Sequence, residues 1–203
     1  MHIEFLVEEP SAEAALQNLV PKILGDQGDF TIHVHEGKPD LLKKLPGRLA
    51  GYARWLPNDY RIVVLIDEDR QDCKKLKKNL EHVARNAGLL TKSRAKTGSK
   101  FQVLNRIAVE ELEAWFFGDI QALVKSYPRV SPTLHQKRGY RNSDAIAGGT
   151  WEALERVLQR AGYFKGGLAK IEAARQISQN MEPDSNRSIS FQVFREGLLS
   201  LSS

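Results

Sequence analysis

Apolar and polar positions along this chain alternate between the period of strands and the period of helices. Four short apolar runs have the length and the Ile, Val, Leu and Phe content of buried strands. They are predicted at residues 2–7, 30–35, 61–67 and 101–109. Between and after them, apolar residues recur at spacings of three and four, which indicates amphipathic helices. These are predicted at residues 11–24, 39–56, 71–87 and 110–126. The alternation predicts an α/β fold with a mostly parallel sheet flanked by helices.

The chain changes character after Pro128. Residues 129–150 are rich in Pro, Gly and basic residues, a composition typical of a long connection. Three more amphipathic helices are predicted beyond it, at residues 151–161, 167–179 and 190–201. We therefore expect an α/β domain over residues 1–127. Residues 128–203 would form a basic connection and a C-terminal helical extension packed on that domain.

Three of the four apolar runs end in acidic residues. The acids are Glu8 and Glu9 after the first run, Asp67, Glu68, Asp69 and Asp72 after the third, and Glu110, Glu111 and Glu113 after the fourth. Because the carboxyl ends of parallel strands lie at one edge of a sheet, where ligands bind in open α/β folds, we expect some of these side chains to meet. Asp67 and Asp69 would point to the same side if the strand continued. Carboxylate oxygens suit Mg²⁺ or Mn²⁺, so a metal site is predicted at this edge.

Each acid also has an ordinary explanation. One aspartate of the third run is enough to cap the helix predicted at residues 71–87. Glu8 and Glu9 would complement the dipole of the helix at residues 11–24. Taken singly, each acid is more typical of a surface than of a site. Their recurrence at three strand ends favours the site.

These acidic segments resemble a known family. Residues 7–13 (VEEPSAE), 65–73 (LIDEDRQDC) and 107–116 (IAVEELEAWF) look like segments of a bacterial domain-of-unknown-function family with a Toprim-like fold. That fold is the catalytic domain of topoisomerases, bacterial primases and overcoming-lysogenization-defect nucleases. The resemblance covers nearly the whole chain and implies a Toprim-like, or Rossmann-like, sheet. Relatives are often predicted nucleases or components of bacterial defence loci.

The resemblance implies roles for individual residues. Glu8 would be the Toprim glutamate after the first strand, and Asp67 and Asp69 would be the paired aspartates. Glu110 or Glu111 would be the glutamate of the later strand end. Such a site holds Mg²⁺ or Mn²⁺ and catalyses phosphodiester hydrolysis or transfer, as a nuclease does. Glu8 would act as a ligand or general base, and the two aspartates would be the principal ligands.

Two positions depart from the Toprim pattern. The usual pattern has Gly after the first glutamate, and nuclease relatives have another Glu four residues after the first. Here Glu9 and Ala12 occupy those positions. A catalytically inactive module that binds nucleic acid or a partner ATPase therefore stays open. The sequence has no Walker-type Gly-rich loop, so ATPase activity would have to come from the partner. A nucleotide-sugar transferase, which also uses an Asp-x-Asp motif, is a further alternative.

The distribution of charge along the chain indicates a class of substrate. The 203-residue chain has a formal net charge of +5 and a pI of about 9.3 despite its acidic strand ends. An acidic centre flanked by basic loops suits the phosphate backbone of DNA or RNA, although solvated loops are the ordinary alternative. Lys165 is the candidate for a positive group that stabilises the transition state. The candidate nucleic-acid-binding residues are Lys92, Arg94, Lys96, Lys100, Lys137, Arg138 and Arg141.

The remaining signals concern location. The one cysteine, Cys73, excludes an intrachain disulfide and favours a reducing compartment. No secretory signal is visible and no apolar stretch approaches the ~20 residues of a membrane span, so we expect a cytoplasmic protein that does not enter a membrane. His33 and His35 would share one side of a strand. Without a clearly spaced third ligand, they are expected to be packed or hydrogen-bonded rather than to bind zinc.

Overall fold

A four-stranded parallel sheet lies at the centre of the protein. The computed structural model describes residues 1–69 and 71–201. The strands are β1 (His2–Val7), β2 (Asp29–Val34), β3 (Tyr60–Asp67) and β4 (Val103–Ala108). Their order in the sheet is β2-β1-β3-β4, and all three pairings are parallel. The predicted α/β class with a parallel sheet is confirmed. The four strand predictions differ from the observed bounds by two residues at most.

Helices follow the strands and form the C-terminal part of the chain. They are α1 (Pro10–Leu24), α2 (Lys38–Trp55), α3 (Cys73–Asn86), α4 (Glu113–Gly118), α5 (Ile120–Ser126), α6 (Thr150–Arg160), α7 (Lys170–Asn180) and α8 (Ile189–Leu199). Short 3-10 turns at Leu134–Gln136, Arg138–Tyr140 and Ser143–Ala145 occupy the predicted connection. None of the helices described here is long and apolar enough to cross a membrane.

The helix predicted at residues 110–126 is two helices. Glu110 has a left-handed φ of 61°, so it precedes the first helix instead of opening it. The break between α4 and α5 falls at Asp119, whose backbone leaves the helical region. Its Oδ1 accepts a hydrogen bond from the N–H of Ala122 at 3.0 Å and thereby caps α5. Helical spacing alone did not reveal this break, because both short helices are apolar on their buried sides.

Strand residues alternate between two apolar layers. One face of the sheet packs on α2 and α3, and its buried strand residues are Leu6, Ile62, Val64, Ile66 and Val103. The other face packs on α1 and on helices of the C-terminal part, and its buried strand residues are Ile3, Phe5, Val7, Val63, Leu65, Leu104 and Ala108. Trp115 of α4 joins this second layer and packs on Phe191 and Phe194 of α8, with ring centroids 5.2 and 4.9 Å apart. Such two-sided burial explains why the strands are nearly continuous apolar runs.

The two histidines of the second strand region are held by hydrogen bonds. His33 lies in β2, and its Nε2 is 2.5 Å from Oε2 of Glu4. His35 follows the strand, and its Nδ1 is 2.9 Å from the carbonyl oxygen of Val7. Because each ring has its own partner in the sheet, this arrangement agrees with the expected packed and hydrogen-bonded role.

Candidate carboxylate site

Two buried carboxylates lie side by side at the carboxyl edge of the sheet. Glu8 directly follows β1, and Asp67 is the last residue of β3. These strands are neighbours, with Val7 paired to Leu65, so their ends are brought together. The N–H of Asp67 donates a hydrogen bond to Oε1 of Glu8 at 2.6 Å. Only 7% of the surface of Glu8 and 9% of that of Asp67 is exposed. The fold therefore brings Glu8 and Asp67 together at this edge.

Burial makes both carboxyl groups unusually weak acids. It raises the pKa of Glu8 to about 7, although the hydrogen bond from the Asp67 N–H and the nearby charge of Lys38 act in the opposite direction. Burial also raises the pKa of Asp67 well above its ordinary value, and the negative charges of Glu8 and Glu113 add to that effect. A buried carboxylate without a close counter-charge is costly, so this pair favours a proton or a cation between its members.

A third acid, Glu113, is buried within the electrostatic reach of this pair. It is the first residue of α4 and is only 2% exposed. Burial raises its pKa to about 7, and the charge of Lys170 partly offsets this rise. Among the described residues, no hydrogen-bond partner is found for its Oε2 atom. An unsatisfied buried oxygen of this kind is available for a proton or a ligand.

Lys170 is the first of two cations at this edge. It begins α7, and its Nζ lies 4.9 Å from the ring centroid of Trp151. Burial lowers the pKa of the Lys170 ammonium group, but negative charges outweigh burial and leave the pKa above its ordinary value. The acids responsible are Glu113, Glu9, Glu111 and Asp67. Lys170 therefore stays charged and is the main counter-charge of Glu113.

Lys38 is the second cation. It begins α2, which follows β2 after a three-residue loop, and its side chain is 7% exposed. Its Nζ lies 2.8 Å from Oδ2 of Asp69 and donates to the carbonyl oxygen of Glu68 at 3.0 Å. Asp69 has a left-handed φ of 49°, and its side chain is 47% exposed. The strand ends at Asp67, so the condition for a same-side alternation of Asp67 and Asp69 is not met, and Asp69 pairs with Lys38.

Comparison with known proteins adds one finding to this geometry. The model of the family described as Domain of unknown function (DUF4276) matches residues 7–199. The chain belongs to the DUF4276 family. Neither the curated proteins nor the solved structures include a significant match. Membership of a domain-of-unknown-function family is thus confirmed, while the relation of DUF4276 to Toprim proteins stays a prediction.

Glu111 and Glu110 have structural partners in this DUF4276 chain. Oε2 of Glu111 accepts hydrogen bonds from the N–H and Oγ1 of Thr150 and from the N–H of Trp151, at 2.8 to 2.9 Å. Its carboxylate therefore caps the N-terminus of α6. The N–H of Glu110 donates to Oε2 of Glu68, and its carbonyl accepts from the N–H of Asp69. These bonds tie the turn after β4 to the turn after β3.

The predicted basic residues are spread over the molecule. Lys165 is exposed in the loop between α6 and α7, whereas Lys38 and Lys170 provide the charges that act on the carboxylates. The segment that contains Lys92, Arg94, Lys96 and Lys100 precedes β4 and therefore lies at the amino edge of the sheet. The six residues of β4 separate the two edges by about 20 Å. Exposed side chains around the second 3-10 turn include Lys137, Arg138 and Arg141.

The donor set at the carboxylate edge suits a hard cation. Glu8, Asp67 and Glu113 offer only oxygen ligands, which Mg²⁺ and Mn²⁺ prefer. Within residues 1–69 and 71–201, no three His, Cys, Asp or Glu side chains are arranged to hold a metal ion. Mg²⁺ is commonly bound by one or two carboxylates together with water and substrate phosphates. The pair Glu8 and Asp67 therefore fits such an ion in its chemistry.

Sequence reasoning missed two members of this cluster, Lys38 and Lys170, and did not predict the burial of a third, Glu113. Lys38 follows β2, the one strand whose end carries no acidic run, although the strand-end rule applies there as well. Glu113 is one of the acids named from the sequence, but the predicted helix starts at residue 110, whereas α4 begins at Glu113 and buries it. Lys170 is the first residue of α7 and reaches the cluster through tertiary packing, so no local sequence pattern predicts its position there.

Proposed function

We propose that this protein is a Mg²⁺- or Mn²⁺-dependent phosphodiesterase of the Toprim type that acts on DNA or RNA. The observation that carries the proposal is the adjacent pair of buried acids at two neighbouring strand ends. Glu8 and Asp67 both have raised pKa values. A divalent cation would neutralise the repulsion between them and supply a function for an otherwise costly arrangement.

The acidic and the basic residues of the cluster would have different roles. Bound Mg²⁺ or Mn²⁺ activates water and neutralises the charge that develops on phosphoryl oxygens. Glu8 and Asp67 would hold the ion. Glu113 would exchange a proton with the leaving or attacking oxygen, because a pKa of about 7 leaves it near half protonation at neutral pH. Lys170 and Lys38 would draw the phosphate diester towards the edge.

A second candidate is a module that binds nucleic acid or a partner ATPase without catalysis. The ion pair between Asp69 and Lys38 favours it, because this aspartate is not free to join the pair as it stands. The capping of α6 by Glu111 favours it as well, since that carboxylate is also engaged. The Glu9 and Ala12 departures from the Toprim pattern point in the same direction.

Calorimetric titration separates the two candidates. Mg²⁺ and Mn²⁺ are titrated into the wild type, Asp67→Asn and a control, Glu36→Gln, which removes an exposed carboxylate from the loop after β2 at the same sheet edge. The same samples are tested for cleavage of bis(4-nitrophenyl) phosphate and of labelled DNA and RNA. The phosphodiesterase proposal predicts that binding and cleavage persist in the control and drop at least tenfold in Asp67→Asn. Metal binding and cleavage that are absent from the wild type favour the non-catalytic module.

A further inference from the structure

Helix α3 carries positive charge that its own stability does not require. Its 14 residues include four lysines and one arginine but only one acid, Glu81. Lys74 and Lys75 lie in the first turn, where the helix dipole disfavours cations. Lys74 and Lys78 are like charges four residues apart, which destabilises a helix. Because both arrangements destabilise α3, the stability of the helix does not explain why these lysines are present.

One lysine of α3 is used inside the molecule and the others are not. Nζ of Lys77 donates to the carbonyl oxygen of Asn105 at 2.5 Å and lies 3.2 Å from Oε1 of Glu81. Burial lowers the pKa of the Lys77 ammonium group. Lys74, Lys75 and Lys78 are exposed, and their side chains make no hydrogen bond or ion pair within the described residues.

The exposed cations form a line along the helix. Lys74, Lys78 and Arg85 are separated by four and seven residues and therefore share one face, opposite the buried Leu76 and Leu80. Since α3 follows β3, it begins at the carboxyl edge of the sheet and runs about 21 Å towards the amino edge. The line thus starts at the same edge of the sheet as the carboxylate pair.

A shallow groove extends this line at the far end of the helix. It has a volume of about 560 Å³ and lies between the C-terminal half of α3 and the segment before β4. Lys78, Arg85 and Arg94 line it. The acid in the groove is Glu81, whose carboxylate accepts hydrogen bonds from Thr91 and Asn105 and pairs with Lys77, so its charge is compensated. We call Lys74, Lys78, Arg85 and Arg94 the α3 stripe.

We propose that the α3 stripe binds the sugar-phosphate backbone of a nucleic acid and leads it to the carboxylate pair. The inference rests on the proposed function for the chemistry at Glu8 and Asp67, and it identifies the surface that holds the polymer. With a rise of about 1.5 Å per residue, the line from Lys74 to Arg85 is about 16 Å long and spans roughly five phosphates at about 3.4 Å per phosphate along one strand. The stripe also connects the two edges of the sheet, so it explains how basic residues at the amino edge would contribute to a site at the carboxyl edge.

The test is fluorescence anisotropy of labelled 20-nucleotide and 20-base-pair DNA at several salt concentrations, with EDTA present to prevent cleavage. The stripe variant is Lys74→Gln/Lys78→Gln/Arg85→Gln. We expect at least a tenfold loss of affinity and a slope of log K against log salt that is shallower by about two to three, since each phosphate contact contributes about 0.7 to 0.9 to that slope. The control, Lys43→Gln/Arg54→Gln/Arg160→Gln, removes the same charge from exposed positions of α2 and α6 and should stay within twofold of the wild type.

Two further measurements separate the stripe from the proposed catalysis. Hydrolysis of bis(4-nitrophenyl) phosphate needs no polymer track, so the stripe variant should retain it within twofold. Unchanged DNA affinity in the stripe variant, or an equal loss in the control, would overturn the stripe even if metal-dependent hydrolysis is found. If polyglutamate competes for the labelled DNA as strongly as unlabelled DNA does, the surface binds acidic polymers in general. That result would assign it to an acidic protein partner and would overturn the proposal of nucleic-acid binding. Stripe-dependent DNA binding in a protein that hydrolyses neither substrate would overturn only the phosphodiesterase.

Discussion

The raised pKa of the buried Glu8 makes the stability of the protein depend on pH. The pKa of Glu8 is about 7 in the folded protein and 4.5 in its ordinary state. The folded protein therefore binds more protons than the unfolded chain between these two values. By linkage, the free energy of unfolding falls as pH rises through this window and is constant above it. Glu113, with a folded pKa of about 7, acts in the same direction.

We therefore predict that the protein is more stable at pH 5 than at pH 8 when divalent ions are absent. Urea unfolding in EDTA should show this decline, and Glu8 alone should contribute on the order of 3 kcal/mol. Glu8→Gln should flatten the profile, whereas Glu36→Gln should follow the wild type. A wild-type free energy of unfolding that rises or stays level between pH 5 and pH 8 would contradict the raised pKa values.

Asp67 permits a second prediction at the residue scale. If Glu8 and Asp67 hold a divalent ion, that ion binds the folded protein and not the unfolded chain, so it stabilises the fold in proportion to its affinity. Addition of Mg²⁺ or Mn²⁺ at pH 8 should raise the Tm of the wild type and leave that of Asp67→Asn unchanged. Differential scanning fluorimetry with and without EDTA measures both. An equal rise of Tm in the two proteins would show that any stabilising ion binds elsewhere.

At the scale of secondary structure, Glu111 holds α6 to the end of the sheet. Its carboxylate accepts three hydrogen bonds at the N-terminus of that helix, where negative charge is also favoured by the helix dipole. Replacement by Ala leaves these donors without a partner. We expect Glu111→Ala to lower the free energy of unfolding by about 1–3 kcal/mol, measured by urea unfolding. Glu155→Ala, on the same helix, should cost less, because within the described residues the carboxylate of Glu155 accepts a single hydrogen bond, from the N–H of Leu168.

At Gly118, close packing and helix propensity predict opposite effects of a substitution by Ala. Gly118 ends α4, and a Cβ atom there would overlap Oδ1 of Asn186 and the backbone nitrogen of Ser188. Gly118→Ala should therefore destabilise the protein by roughly 2 kcal/mol or more, although Ala is the better helix former. Gly47 lies within α2 with open space around its Cβ position, so Gly47→Ala should stabilise by about 0.5–1 kcal/mol. Thermal unfolding of the two variants compares them, and shifts of the same sign would refute the packing argument.

At the scale of the whole molecule, the positions of the strands were predictable because they depend on local apolar runs. A strand buried on both faces needs continuous apolar residues, and these are visible at residues 2–7 and 61–67. The meeting of Glu8 and Asp67 followed from the rule that parallel strands end at one edge. The partners of that pair were not predictable in this way. Lys170 reaches the edge through packing of the C-terminal helices, and the reversal of Asp69 towards Lys38 depends on a left-handed backbone angle.

The two acids that directly follow β4 were the hardest to interpret from sequence. Glu110 and Glu111 follow a strand as site residues do, yet Glu111 forms hydrogen bonds to Thr150 and Trp151, about forty residues away. No periodicity connects such positions, because the contact is made by tertiary packing alone. The sequence thus indicated where the acids gather and left open which of them face one another.

The charge balance at the carboxylate edge changes while the chain is being synthesised. Lys170 is synthesised roughly 100 residues after Asp67. At the ~5–20 residues per second of translation, Asp67 leaves the ribosome about 5 to 20 s before Lys170, whose ammonium group offsets Glu113. During that interval the new sheet edge has Lys38 but not Lys170 to balance its negative charge. Docking of α7 would therefore be a late step of folding during synthesis, and a nascent chain would complete its sheet edge only when that helix arrives.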